Sequence, residues 1–431
     1  MLLIYVKEEA SRISYIFKHI CEQILGMEIS FSTVLEEFIS HQGPKISYGK
    51  RPLGNELFFQ SYGLLEQQGI ETEEVIVKKW DDTVGFFSVA PSSGLPFDIF
   101  SASFYLLTRY EEYLPQVKDY KGRFMASESL AYQNGFLDQP VVDIWAYKFK
   151  DLVSATFPEL KFSERKVTIH PVIEADRPYA FKQKGFFRTL IGFGNDLFRG
   201  KFRELPERAK VLLGIKRDPR DSFKWIVNTA RHSNFDITLF FLLGEMPAFT
   251  ESINTHRPKF KMLVKYVADY KDVGLIISLE ALSNYELLKD EKRRMEEITN
   301  RPLKSTMNAE SLVKLPDMYR NLIELEIKND YTLAYSDMPG FRAGTCTPFL
   351  FYDLDYEVKT PLVVQPIAAN TKAFQQKYTT DREKTLENCL REVEKVNGTF
   401  IMVFSNKDFA STPENQVWRK FFSERLSKYE S

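Results

Sequence analysis

The chain has 431 residues, with 58 Lys and Arg against 59 Asp and Glu, five His and three Cys. So few Cys and His exclude a zinc-finger array and a disulfide-stapled scaffold, and a net charge of −1 argues against broad nucleic-acid binding. A hydrophobic share of 44% and a charged share of 27% fit an ordinary folded chain of two or three domains.

Cys21, Cys346 and Cys389 are far apart and odd in number, which reads as three reduced thiols. No stretch approaches the ~20 apolar residues of a spanning helix, and Met1–Val6 is too short for a signal segment. The expected location is cytoplasmic.

Residues 1–95 read as a small α/β unit. Leu2–Val6 is an apolar strand, and Ala10 to Leu25 carries Ile13, Ile16, Phe17, Ile20 and Ile24 at helical spacing. Glu74–Val77 and Gly85–Val89 are further expected strands. Residues 96–155 read as helical, with Phe104, Leu107 and Tyr110 on one side of Ser101–Leu114. A second helix opens at Pro140 and runs through Trp145, Phe149 and Leu152. Pro158 and the charged run Lys161–Lys166 mark a linker, so the expected units are 1–165 and 166–431.

Beyond the linker, strands and helices alternate. The expected strands are Val167–Ile173, Ile237–Leu243, Gly274–Leu279, Tyr331–Tyr335, Leu362–Gln365 and Thr399–Phe404; the helices are Lys259–Tyr270, Leu287–Ile298 and Asp381–Val396. This alternation implies a parallel sheet, closed as a barrel or doubly wound. In such folds working residues lie just beyond the C-terminal ends of strands. That rule selects Glu174 and Asp176, Glu245, Ser278 and Glu280, Ser336 and Asp337, and Ser405 and Asn406.

Glu174-Ala-Asp176 puts two carboxylates on one face of an extended chain. Mutual repulsion can raise one pKa to a useful general-base value, or the pair can grip a cation. The plainer alternative is a solvated turn before Pro178. Arg342, in a Gly-rich loop, either clamps a ligand carboxylate or phosphate or pairs internally with Asp337. Arg109-Tyr-Glu-Glu-Tyr113 reads as a cap over the strand ends or as an amphipathic interdomain helix. His170 reads as a buried neutral side chain with a hydrogen-bond partner. Residues 182–220 hold 11 Lys and Arg against 4 Asp and Glu, interleaved with Phe186, Phe187, Phe193, Phe198 and Phe202. That segment is a peripheral membrane contact, a site for an anionic glycan carrier, or a solvated basic hairpin whose Phe residues face the core.

Leu95-Pro-Phe-Asp-Ile-Phe100, Arg109-Tyr-Glu-Glu-Tyr113, Ala126-Ser-Glu-Ser-Leu-Ala131, Gly135-Phe-Leu-Asp-Gln-Pro140, Gly185-Phe-Phe-Arg-Thr-Leu190 and Pro339-Gly-Phe-Arg-Ala-Gly-Thr345 carry a resemblance. On these residues the chain resembles the polysaccharide deacetylase (NodB-homology, carbohydrate esterase) superfamily, in a Bacteroidetes-type subgroup with an extra N-terminal region. The resemblance implies a distorted (β/α)7-type, TIM-like deacetylase barrel after an N-terminal α/β and helical module. It also implies a metal held by one Asp and two His, a second Asp as base and a late His as acid.

Those positions are altered here. The first motif reads Val172-Ile-Glu-Ala-Asp176, with Glu174 at the base position and Asp176 at the metal position. Ile276 stands where the second motif has its first His, and Glu280 falls four residues on. The Arg-Gln-His motif falls on Met307-Asn-Ala309, and Ser405-Asn406 replaces the closing His-Asn. Ile cannot coordinate a cation, and each lost acid or base costs ~10²–10⁴-fold. The expectation is therefore a catalytically degenerate deacetylase-like protein in envelope polysaccharide metabolism. It would have no cofactor and would bind a glycan or glycan-lipid through Glu280, Asp337, Arg342, Ser405 and Asn406. Two readings stand beside it. One is an active carbohydrate deacetylase or hydrolase with Glu174 as base and Asp176 and Glu280 as a rebuilt, weak metal site. The other is a scaffold or partner subunit.

Overall fold

The computed structural model describes residues 1–429 apart from 199, 201, 203, 234, 245–252 and 377–381. It is a mixed α/β structure. Four short strands, β1 (Leu2–Val6), β2 (Ile29–Ser32), β3 (Lys45–Gly49) and β4 (Leu57–Gln60), form a parallel sheet in the order β2-β1-β3-β4. The apolar run of β1 and the helix Ser11–Lys18, prolonged by a wider turn over His19–Ile24, are legible in the sequence. Strands β2 and β3 are not, because Ser30, Ser32, Lys45 and Ser47 interrupt their apolar pattern, and β4 is a run of only three apolar residues before Gln60. The expected strands at 74–77 and 85–89 are displaced: the chain instead makes a hairpin of β5 (Lys78–Trp80) and β6 (Thr83–Gly85).

The helix Ile99–Leu107 starts on Asp98, whose carboxylate accepts from the backbone N–H of Phe100 and Ser101 and from the hydroxyls of Tyr48 and Ser101. This is the physical content of the Leu-Pro-Phe-Asp motif: an N-cap that also pins β3. The helix ends earlier than expected, because Arg109 takes a left-handed φ of 54°. The helix Val141–Thr156 buries Trp145, Phe149 and Val153 at intervals of one turn.

The second sheet has nine strands: β7 (Thr168–Ala175), β8 (Thr238–Leu242), β9 (Asp272–Ile277), β10 (Ser305–Asn308), β11 (Asn329–Asp330), β12 (Phe349–Asp353), β13 (Val358–Val364), β14 (Ala369–Asn370) and β15 (Thr399–Ser405). Their order is β12-β13-β11-β10-β9-β8-β7-β15-β14, parallel except for β12 against β13. Five of the six expected strands are present. The sixth, 331–335, leaves the sheet after the short β11; β10 and β14 carry no periodic signal of their own, and β12, the apolar run Phe349–Tyr352, is a strand outside the expected set. The pairings run in one line, and β14 and β12 are not paired with each other. Beyond their ends, Ile367 N donates to Leu333 O at 3.3 Å.

One face of this sheet gathers Val172, Phe240, Ile276, Met307, Ile367 and Ile401 into a separate apolar cluster. Gly274 is required by that packing, since a Cβ there would sit 2.2 Å from the Phe240 ring and 2.8 Å from Ser305 O. The other face packs on helices, and its core continues without a break into β1, the helix Ser11–Lys18 and the helix Val141–Thr156. Cys21, Cys346 and Cys389 are buried and unpaired. Among the described residues no helix is long and apolar enough to cross a membrane.

Candidate ligand site at the ends of the parallel strands

Strand β7 delivers Glu174 to its C-terminal end, opposite Ser405 of β15 in register. Glu174 is buried and accepts a hydrogen bond from Lys372 Nζ at 2.7 Å. Lys372 follows β14, two positions after Asn370, whose Oδ1 accepts from the Lys372 backbone N–H at 2.9 Å. Burial raises the Glu174 pKa, the nearby Asp176 and Glu310 add to the rise, and Lys372 opposes it. Burial alone would lower the Lys372 pKa, but Glu174 first, then Asp176 and Glu310, push it up. Asp176 is partly buried and lies 3.4 Å from Arg177 Nε. From β10 comes Glu310, held in a left-handed conformation (φ 60°) and paired with Lys121 at 3.0 Å. Burial works against its ionisation, yet the Lys121 hydrogen bond and the charge of Lys372 keep its carboxyl below the ordinary value. Lys121 lies 189 positions before Glu310 in the chain, so residues 118–124 reach to the edge of this site.

The resulting set is a half-buried network of three cations and three carboxylates: Lys121, Glu310, Lys372, Glu174, Asp176 and Arg177. Its raised carboxyl and its lysine, partly open to solvent, can exchange hydrogen bonds with hydroxyls of a polar ligand. Lys372 and Glu310 escape sequence reasoning. Lys372 follows a strand of only two residues, and Glu310 follows the strand hidden in Thr-Met-Asn.

The network does not fit a divalent cation. Glu174 is already neutralised by an ammonium group. Ile276 is sealed in the apolar cluster, Ala309 has no donor atom, and Glu280 is exposed at the start of the turn Ala281–Ser283. Among the described residues no group of three or more His, Cys, Asp or Glu is placed to hold a metal.

The other selected residues divide. Ser405 and Asn406 lie beside Glu174, but both are engaged in the fold. Ser405 N donates to Asp408 Oδ2 at 2.8 Å in a capping box. Asn406 Nδ2 donates to Arg220 O at 3.0 Å and Arg177 O at 3.3 Å. Ser278 is buried and caps Ala281 N, and its own N–H donates to Glu291. Ser336 is half-buried and Asp337 is exposed, while Glu245 lies outside the described residues. His170 is half-buried rather than fully buried, 3.0 Å from Thr238 Oγ1, and desolvation lowers its pKa.

Arg342 differs from both expectations. It is buried and pairs not with Asp337 but with Glu112, through Nε at 2.9 Å and Nη2 at 2.7 Å, while Nη1 donates to Ala334 O at 2.9 Å. Its fork is therefore taken and cannot clamp a ligand. Arg109 bonds the same Glu112 at 2.8 Å, Glu111 at 2.6 Å and the Arg342 carbonyl. The Arg109–Tyr113 motif is thus neither a cap nor an amphipathic helix. It is an ionic joint to the connection 331–348 between β11 and β12. Asp143 makes a second joint, accepting from Thr345 Oγ1 at 2.6 Å, Cys346 N at 3.0 Å and Thr347 Oγ1.

Residues 2–158 match the model of DUF7033, described as a family of unknown function. No curated protein matches the chain. Among solved structures, the chain is similar to a protein described as a candidate polysaccharide deacetylase from Mycobacterium smegmatis, with 12% identity over 61% of this chain and 85% of that one, at a TM-score of 0.38. It is also similar to a CE4 family pseudoenzyme from Bacillus anthracis, with 8% identity over 62% and 63% of the two chains and a TM-score of 0.31. A third similarity is to a protein from Parabacteroides distasonis described as a candidate glycoside hydrolase/deacetylase, with 10% identity over 62% and 67% and a TM-score of 0.34.

Proposed function

We propose that this protein is a catalytically degenerate, deacetylase-like protein that binds a glycan or glycan-lipid at the C-terminal ends of β7, β10, β14 and β15. The observation that carries this reading is the Lys372–Glu174 pair. An ammonium group sits against the carboxylate at the base position of the first motif, in a site whose other motif positions hold Ile276, Ala309 and Ser405. A fixed lysine supplies positive charge without Lewis-acid exchange of water. Such a site suits hydrogen bonding to hydroxyls and acidic substituents better than amide hydrolysis. We place the nine-stranded sheet in the distorted (β/α)7 barrel class; the enclosed cluster around Val172, Phe240 and Ile401 supports this. We treat 1–165 as its own unit, supported by the family match over 2–158. We assign the protein to the cytoplasm, in keeping with three unpaired thiols.

The test is calorimetric titration of the purified chain with N-acetylated, de-N-acetylated and uronic-acid oligosaccharides, beside an acetate-release assay with Zn²⁺, Ni²⁺ or Mn²⁺. Binding that weakens at least tenfold in Lys372→Ala, without acetate release, is expected. Metal-dependent release abolished by Asp176→Ala overturns the reading, as does a lack of binding to every oligosaccharide. The raised Glu174 pKa favours one second reading, a hydrolase with Glu174 as acid or base. Turnover without metal, lost in Glu174→Gln, would select it.

A further inference from the structure

The segment that leaves the candidate site is built inside out. After Asp176 the chain enters the helix Phe186–Phe198, which is followed by the helix Glu204–Leu212. At 3.6 residues per turn, Phe186, Phe187, Leu190, Ile191, Leu197 and Phe198 fall within an arc of ~140°. All six are exposed, Phe187 to 75% and Phe198 to 92%. Leu213 and Ile215, beyond the second helix, are exposed to 75% and 73%. The side turned toward the protein is polar. Asp196 is buried and accepts from Arg208 Nε at 2.8 Å, and the Arg208 guanidinium stacks over Phe181 at 4.7 Å. Gly192 admits this contact, since a Cβ there would meet Arg208 Nη1 at 2.5 Å. The expectation that the Phe residues face the core is therefore overturned: of the five, Phe186, Phe187, Phe198 and Phe202 are exposed.

The hairpin is also fastened to the rest of the molecule. Asp218, at its exit, accepts from the backbone N–H of Ala180, Phe181 and Lys182 at 2.8, 2.9 and 3.0 Å. The hydrophobic face is thus held firmly beside the end of β7.

We infer that this face docks the protein onto an anionic lipid bilayer. Two features select a bilayer over a protein partner. The segment 182–220 holds an excess of seven positive charges in a chain of net charge −1, which complements anionic headgroups. It also joins an aromatic and aliphatic face to abundant Lys and Arg, whereas the buried centre of a protein interface is depleted in charge. This inference does not rest on the glycan reading.

The full chain is mixed with vesicles of phosphatidylcholine, with and without phosphatidylglycerol, and floated on a density gradient. Flotation with the anionic vesicles alone is expected, together with new hydrogen-exchange protection over 186–198 in the wild-type chain. Phe187→Glu/Ile191→Glu/Phe198→Glu abolishes it. Lys182→Glu/Lys210→Glu weakens it about tenfold or more and flattens its salt dependence. The replaced apolar side chains are exposed, so the triple variant keeps the wild-type melting curve. No flotation with anionic vesicles at low salt overturns the inference. So does undiminished flotation of the triple variant, or self-association that the same substitutions abolish without any vesicle binding.

Discussion

The joint at Glu112 and the site at Glu174 both set a buried carboxylate against a cation, with opposite electrostatic results. Glu112 is gripped by two guanidinium groups, and the side chains of Arg342 and Glu112 are only 2% and 5% exposed. Burial would raise its pKa, but Arg342 and Arg109 outweigh it and hold the carboxyl near 2. Glu174 has one lysine partner that is 26% exposed, and burial wins, so its pKa is raised. A planar, bidentate fork with satisfied donors makes a permanent weld. A point charge at a partly open edge leaves a carboxylate that is easily reprotonated or re-paired, which is what a ligand site requires.

The largest effect expected from breaking this contrast is at the joint. Arg342→Met leaves Glu112 short of a partner in a dry interface and should cost about 3–5 kcal/mol of unfolding free energy. Adding Glu112→Gln should recover part of that loss, measured by denaturant titration of the three chains. The same joint predicts a pH effect. The folded pKa of Glu112, near 2, lies below its ordinary 4.5, so its stabilisation is complete above about 4.5. It is lost as pH falls toward 2, by about 3 kcal/mol in all. Melting curves between these limits should flatten in Glu112→Gln.

At the candidate site the expected loss is smaller and has the opposite pH dependence. Lys372→Met leaves Glu174 buried without its counter-charge, which raises its folded pKa further. Protonation then favours the folded state, so the variant should lose about 1–3 kcal/mol at neutral pH and less as pH falls toward the ordinary carboxylate range. A loss that grows on acidification would mean that Glu174 is not the group left unpaired. The smallest effect is reserved for the partner first expected of Arg342. Asp337 is exposed, and Asp337→Asn should change stability by no more than about 0.5 kcal/mol. A larger change would return Asp337 to the joint.

These predictions also mark where the residues were informative. The positions just beyond β7 and β15 follow from strand pattern and fold rule, so Glu174, Asp176, Ser405 and Asn406 are legible. Their company is not. Lys372 follows a strand of only two residues and Glu310 lies in a turn after β10, and neither element has a period to detect. Arg342 was recognisable as a residue with a task, but its partner lies 230 positions away. The basic, aromatic composition of 182–220 was visible as well. Only burial decides whether those rings face inward or outward.

The sequence by itself determined the α/β alternation, the apolar run of β1 and the carboxylates just beyond β7, because each depends on residue type and local spacing. Tertiary structure alone decided that an ammonium group neutralises Glu174, that Glu112 claims both arginines, and that the hairpin turns its apolar face outward. Those outcomes depend on which distant groups share a low-dielectric site and which are left in water, and chain-local periodicity carries no record of either.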